Sequence, residues 1–106
     1  MQLQMSTVLK TEGGEEFNHL GEPLDMRTVV VEALKFVPPQ IPGQPPETPT
    51  LEESTERGIF IFQAKREDTL ELKDDDVKLI KNLVAKFWGI VVITQASRLL
   101  DGEEQL

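Results

Sequence analysis

The side chains that could do chemistry in this chain are mostly carboxylates, and the densest group of them runs from Glu67 to Asp76 (EDTLELKDDD). A calcium-binding loop requires oxygen ligands at alternate positions, a glycine at its sixth position and a glutamate at its twelfth. A loop that starts at Asp68 would place Leu70 and Leu72 among its acids and would have no glycine. Helix capping and solvation explain these acids better than calcium does, so we expect no metal and no cofactor.

The chain has few other groups that could support catalysis. His19 is the single histidine, and cysteine is absent. Zinc sites need thiolates or paired imidazoles, and a Ser-His-Asp triad needs a histidine with placed partners. Phosphate-binding glycine loops and the G-x-S-x-G turn of hydrolases are absent as well. The sequence therefore predicts a protein that is not an enzyme.

The charge balance bears on possible partners. The 19 acidic residues outnumber the 11 basic ones, which gives a net charge of −8. Phosphate backbones are bound by clustered Lys and Arg, so we do not expect direct binding of nucleic acid. The acidity mainly indicates solubility. The alternative is a DNA mimic that inhibits a nucleic-acid enzyme through an acidic face, formed by Glu67, Asp68, Asp74, Asp75 and Asp76.

The sequence gives no sign of a membrane segment or a secretion signal. No apolar stretch approaches the roughly 20 residues that span a bilayer, and the N-terminal residues MQLQMSTVLK lack the basic and apolar regions of a signal peptide. The absence of cysteine is also compatible with a reducing compartment. We therefore expect a cytoplasmic protein without a membrane partner.

Six of the seven prolines lie in one run, FVPPQIPGQPPETPTLEE (residues 36–53). Its overlapping P-x-x-P patterns resemble ligands of SH3 and WW domains. The flanks do not suit such a ligand, because Lys35 is out of register and Glu47 is acidic. Neither side of the run is long enough for a core of its own. We predict a single domain, residues 1–106, with an exposed proline-rich loop at residues 38–49.

The remaining pattern predicts a mainly α fold of about four helices with a short N-terminal β-hairpin, or alternatively an α+β fold. Asp25 is a plausible N-cap for a helix that runs to Phe36, where Pro38 stops it. The run Val29-Val30-Val31 favours a strand, but the cap and the helical spacing of apolar residues outweigh it. The hairpin is predicted to turn at Gly13-Gly14.

Residues 74–87 form the clearest predicted helix, with three aspartates at its N-terminal end. Two segments are ambiguous between helix and strand, residues 58–64 and 89–94, and we favour helix in both. The first segment belongs to a longer predicted helix. One face of that helix is formed by Leu51, Thr55, Gly58, Phe62 and Ala64. The last helix is expected to end at Asp101 with Gly102 as its cap, followed by a frayed tail, EEQL.

Two segments resemble a group of small proteins encoded by tailed bacteriophages and prophages: GEPLDMRTVVVEALKF (21–36) and ELKDDDVKLIKNLVAKFWGIVVITQASRLLDG (71–102). In that group a Gly-Glu-Pro-Leu segment leads into an apolar helix, and a charged helix follows. An acid-capped helix with a Leu-Ile-Lys-x-Leu-Val core then precedes a segment ending in Leu-Leu-Asp. The resemblance covers about half of the chain, and the long proline-rich insertion departs from it. It implies a viral context and helix in both ambiguous segments, and it carries over no catalytic residues.

The apolar segment from Phe87 to Leu100 gives the strongest indication of a binding surface. A helix there would turn apolar side chains over most of its circumference, whereas a small domain covers only one side. Another copy, a partner protein or the proline-rich loop must cover the rest, and the expected interface comprises Phe87, Trp88, Ile90, Val91 and Ile93. The leading hypothesis is a small acidic phage protein that acts through protein–protein contacts, in virion assembly or host-factor modulation.

Overall fold

The computed structural model describes residues 1–45 and 48–106. In chain order their elements are β1 (Gln2–Gln4), β2 (Asn18–His19), β3 (Glu22–Pro23), α1 (Met26–Lys35), α2 (Leu51–Arg66), β4 (Thr69–Glu71), α3 (Asp74–Phe87) and α4 (Ile90–Leu100). The mainly helical fold with an N-terminal pair of strands is confirmed, and both ambiguous segments are helical, apart from Gly89, which precedes the first residue of α4. Among the described residues, no helix is both long and apolar enough to cross a membrane.

Helix α1 lies at the centre of the fold, in contact with both α2 and α3. Six of its ten residues are buried, including Val29, Val30 and Val31. Burial on several sides explains why a run of β-branched residues is helical here, because packing overrides their weak helix propensity. The predicted cap is confirmed, since the Asp25 carboxylate accepts a hydrogen bond from the Thr28 N–H at 2.9 Å.

Two arginines hold α1 and α2 together as antiparallel neighbours. Arg57 of α2 is 9% exposed and donates to the carbonyls of Leu34, at 3.0 Å, and Phe36. Arg27, in the first turn of α1, donates to carbonyls at the end of α2, including that of Ala64 at 3.0 Å. Each arginine therefore satisfies carbonyl groups that the C-terminal end of the other helix leaves without helical partners.

The sequence predicted the wrong core face for α2. Of the predicted face, Ala64 is buried, but Leu51 is 85% exposed and Phe62 is 64% exposed. The buried residues of α2 are Arg57 and Ala64, and two apolar neighbours are partly buried beside them. Apolar periodicity misses this face because its central residue is an arginine, which is buried only because carbonyls of α1 accept its hydrogen bonds.

The N-terminal residues also pair with a strand that the sequence analysis did not predict. Strand β1 runs antiparallel to β4, and Leu3 lies opposite Leu70. Both leucines are buried, with 3% exposure each. Strand β4 occupies the acidic stretch between α2 and α3, so this stretch consists of more than helix caps.

The chain reverses twice between β1 and α1. The predicted turn at Gly13-Gly14 is confirmed, because Lys10 bridges to Glu16 across it and Gly14 has a φ of 84°. Strands β2 and β3 then form a second, tighter hairpin, whose turn residues Leu20 and Gly21 have φ values of 54° and 82°. Two positive φ values in succession are typical of a type I′ turn.

The predicted ends of α3 and α4 are confirmed. At the start of α3, the Asp76 carboxylate accepts a hydrogen bond from the Lys73 N–H at 3.0 Å. At the end of α4, Gly102 has a φ of 78°, and the Glu103 N–H donates to the Arg98 carbonyl at 2.8 Å. This is the hydrogen bond of a Schellman motif, in which a left-handed glycine ends the helix.

The prediction of a frayed tail was wrong. The Leu106 N–H donates to Oε1 of Gln95 at 2.8 Å, and Nε2 of Gln105 donates to the Val8 carbonyl at 2.9 Å. Gln95 is only 3% exposed. The last residues are therefore held by amide side chains against α4 and the N-terminal segment, which a local reading of EEQL does not reveal.

The described part of the proline-rich segment lies largely in solvent. Residues 39–45 and 48 are exposed, and Pro38 and Pro49 are half-buried. Both prolines border a hollow of about 400 Å³ together with residues of α2 and α3. The predicted loop also includes Pro46 and Glu47, which lie outside the described residues, and so does part of the last P-x-x-P pattern.

Candidate functional site

The two-residue junction between α3 and α4 is fixed to the central helix. Trp88 caps the end of α3 and Gly89 precedes the first residue of α4. The Trp88 backbone N–H donates to the Val84 carbonyl at 2.9 Å. Its indole Nε1–H donates to the Val29 carbonyl of α1 at 3.1 Å. Because the ring is hydrogen-bonded to α1, the junction has a defined position relative to the core.

Aromatic contacts connect this junction to the β2–β3 hairpin. The Trp88 ring meets the His19 ring edge to face, with centroids 5.1 Å apart, and the Phe87 ring at 5.0 Å. Phe87 in turn lies 5.3 Å from Phe36, just beyond α1. Edge-to-face and tilted pairs at these distances are favourable, so the four rings form one cluster that joins three parts of the chain.

An open cleft lies beside this cluster. Its first hollow, of about 450 Å³, is bounded by Phe17 and His19 of the hairpin and by residues 87–92. A second hollow, of about 280 Å³, is bounded in part by Glu12. Ile90 and Val91 border both hollows, which are therefore adjacent. We call the two hollows together the junction cleft.

The structure brings four of the five predicted interface residues to this cleft. Ile90 is 82% exposed and Phe87 is 41% exposed. Trp88 and Val91 are half-buried and also border the cleft. Ile93 instead packs against the hydrophobic core. The described part of the proline-rich segment does not border the cleft, so it does not cover this surface.

Sequence reasoning missed the hairpin side of the cleft. Phe17 and His19 are two positions apart in an extended stretch, so they share one face of it. That spacing could have shown that the two side chains act together. Their position opposite Trp88 depends on a tertiary contact between residues 69 positions apart, 19 and 88, which no local pattern signals.

The border of the junction cleft is acidic. The hairpin segment from residue 9 to residue 24 contains four glutamates and one lysine. Glu12 borders the second hollow, and Glu22 is directly opposite His19 in the β2–β3 pair. Directly opposed residues of an antiparallel pair lie on the same face, which places Glu22 on the His19 side of the hairpin. Within the described part of the chain, no Lys or Arg borders either hollow.

The predicted acidic face is divided among several places. Asp68 lies 3.7 Å from the guanidinium of Arg27. Asp75 and Asp76 border a groove of about 570 Å³ between α2 and α3, whereas Glu67 borders a separate groove on α2. The five carboxylates therefore do not share one groove. In residues 1–45 and 48–106, no group of three potential ligands is placed to hold a metal ion.

No family model, curated protein or solved structure matches the chain. The junction cleft therefore has to be interpreted from its own chemistry. It offers aliphatic and aromatic surface, with the His19 and Trp88 rings packed in a T-shaped contact. Hydrophobic and aromatic lining of this kind is typical of binding pockets.

Proposed function

We propose that this chain is a small, acidic, non-enzymatic protein that acts by binding another protein through the junction cleft. The observation that carries the proposal is Ile90, which is 82% exposed beside an apolar hollow of about 450 Å³. Burying an isoleucine side chain contributes about 1.5–3 kcal/mol, and apolar side chains grouped around a hollow mark interaction sites. Trp88 adds a residue type that is enriched among the dominant contacts of interfaces.

Leu20 supports the same interpretation. This residue forms the tip of the β2–β3 hairpin, is 92% exposed and has a φ of 54°. A left-handed backbone is unfavourable for leucine, whereas asparagine or glycine suits this turn. Strained residues of this kind concentrate at functional sites. Leu20 follows His19, which borders the cleft, so the tip of this hairpin lies near the proposed binding surface.

The resemblance of residues 21–36 and 71–102 to small phage and prophage proteins supports a viral origin for the chain. In that setting the protein would act in the cytoplasm of a bacterial host. Its partner would be a virion component during assembly or a host protein whose activity it modulates. Both roles require a stable contact surface and no catalytic group.

Capture from bacteria that carry the encoding phage or prophage tests the proposal. Tagged wild-type chain is compared with Ile90→Ser and with the matched control Leu51→Ser by quantitative mass spectrometry. Both substitutions replace the first residue of a helix, and the two side chains are 82% and 85% exposed. We expect a protein that wild type and Leu51→Ser enrich equally and that Ile90→Ser retains at least about tenfold less, because one anchor is lost.

Two results would contradict the proposal. One is an identical set of captured proteins for all three chains, each shown by circular dichroism to be folded. The other is a nucleic-acid enzyme that both serine variants retain and that is lost when Asp74, Asp75 and Asp76 are changed to asparagine. The second result would support the DNA-mimic alternative.

A further inference from the structure

The shape of the junction cleft favours one kind of occupant. Its lining comes from two helices, the hairpin segment and Leu106, and two adjacent hollows share the wall formed by Ile90 and Val91. A helix presents apolar side chains at i, i+3/i+4 and i+7, which fill a groove of this type from successive turns. The cleft is thus suited to the apolar face of a helix.

The charge around the cleft indicates which charges the polar side of such a helix should carry. Glu12 borders the second hollow, Glu22 pairs with His19, which borders the first, and the hairpin segment from residue 9 to residue 24 carries four glutamates against one lysine. Among the described residues that border the cleft, none is Lys or Arg. Complementary potential steers partners and excludes wrong ones, so cationic residues are favoured beside the apolar anchors.

The same charge disfavours a second copy of the chain. Each copy carries a net charge of −8, and a two-fold pair through this surface would bring the acidic hairpins of both copies together. A cationic partner avoids that repulsion. It also meets the rings of Phe87 and Trp88, whose faces attract Lys or Arg.

We propose that the junction cleft receives a cationic amphipathic helix of the partner protein. The proposal rests on the function proposed above and specifies the chemistry of the partner. The helix inserts apolar side chains on either side of Ile90, and its Lys or Arg residues face Glu12 and Glu22.

The only tryptophan of the chain, Trp88, borders the cleft and reports on its occupancy. The probe is an amphipathic peptide of about 18 residues, which forms about five helical turns, with leucines on one face and lysines on the other. We expect a shift of Trp88 emission to shorter wavelength as the peptide covers the ring. Affinity should fall about tenfold between about 0.05 M and about 0.5 M salt, because screening weakens the ionic contacts.

Two comparison peptides separate specific binding from general attraction to an acidic protein. A peptide with glutamate in place of every lysine should not bind. A peptide of the same composition in scrambled order, which has no apolar face, should bind at least about tenfold more weakly.

Three variants locate the contact. Ile90→Ser should weaken binding by at least about tenfold, and Leu51→Ser should leave it unchanged. Glu12→Gln combined with Glu22→Gln should weaken binding about 3-fold to 10-fold at low salt. Both glutamates are exposed, so this double variant tests charge without disturbing the core.

The proposal is overturned if the scrambled or the acidic peptide binds as well as the amphipathic cation, or if Ile90→Ser binds like wild type. It is also overturned if sedimentation shows a dimer that Ile90→Ser dissociates, because the occupant would then be a second copy. If the chain captures a partner in an Ile90-dependent way but does not bind the peptide, the proposed function stands and this inference alone is refuted.

Discussion

The contact that should matter most for folding is the one made by Arg57. In an uninterrupted helix the Leu34 carbonyl would accept a hydrogen bond from the backbone N–H of residue 38. That residue is Pro38, which has no N–H. Arg57 supplies the missing donor from α2, at 3.0 Å, and also reaches the Phe36 carbonyl. Arg57→Met keeps the unbranched stem of the side chain and removes the guanidinium.

The size of the effect follows from these contacts. A hydrogen bond from a charged group contributes about 1.5–3 kcal/mol. The contact with Leu34 is buried, whereas the one with Phe36 is only partly buried, so water can replace part of the second. We expect Arg57→Met to lower the free energy of unfolding by about 3 kcal/mol. That is a large share of the roughly 5–15 kcal/mol typical of a domain, and it lowers Tm by about 12–20 °C.

Urea unfolding measures this loss, followed by Trp88 fluorescence and by far-UV circular dichroism. The control is Arg66→Met, the same substitution on the same helix at an exposed position, where we expect a change within about 0.5 kcal/mol. If Arg57→Met is no more destabilising than Arg66→Met, water satisfies the α1 carbonyls and Arg57 does not hold the two helices together.

Five further outcomes follow from local geometry. Asp25→Ala should cost about 1 kcal/mol in urea unfolding, because α1 loses its N-cap hydrogen bond. Gly102→Ala should lower Tm, since the residue has a φ of 78°, whereas Gly58→Ala should raise stability by about 0.5–1 kcal/mol, because an added Cβ in α2 meets nothing within 4 Å. Leu20→Asn should raise Tm through a better type I′ turn and weaken partner capture if the tip takes part in binding. Gln95→Leu should remove the hydrogen-exchange protection of the last residue, whose N–H donates to the Gln95 side chain at 2.8 Å.

The features that could be predicted from the sequence are those set by near neighbours along the chain. The Asp25 cap involves residues three positions apart, and the Gly102 cap involves one helical turn. The features that could not be predicted are contacts between residues that are distant in the sequence. One of them is made by an arginine, which a search for apolar periodicity counts as polar. Arg57 reaches Leu34 across 23 positions, and β1 pairs with β4 almost 70 residues away.

The candidate site shows the same division. The apolar residues of the α3–α4 junction were predicted because they are adjacent in the sequence and too numerous for one helix face. Their exposure depends on which side of α4 the rest of the fold covers. The opposite wall of the cleft, with Phe17 and His19, comes from a hairpin that the fold brings into contact with Trp88. Sequence alone thus indicated half of the cleft.

The antiparallel packing of α1 and α2 sets where the proline-rich segment must begin and end. Arg57 lies level with the end of α1, so residues 51–56 extend beyond it, by about 9 Å of helix, and all six are exposed. The first turn of α2 is held by a local capping box, in which the Glu53 N–H donates to the Thr50 hydroxyl at 3.1 Å. The connection from residue 36 to residue 50 must therefore reach past the end of α1 to the start of α2. About three extended residues would span that overhang, so the connection is longer than the overhang requires, and longer than the 2–8 residues common between packed helices.

Prolines suit such a connection because a polyproline segment extends by about 3.1 Å per residue without internal hydrogen bonds. Its two ends, at Pro38 and Pro49, meet beside α2 and α3 at a hollow that includes Arg57 and Lys86. Only these two prolines of the described part are half-buried, and no described residue of the segment borders the junction cleft. The two ends of the proline-rich segment therefore lie on the α2–α3 side of the fold, and Ile90 stays exposed.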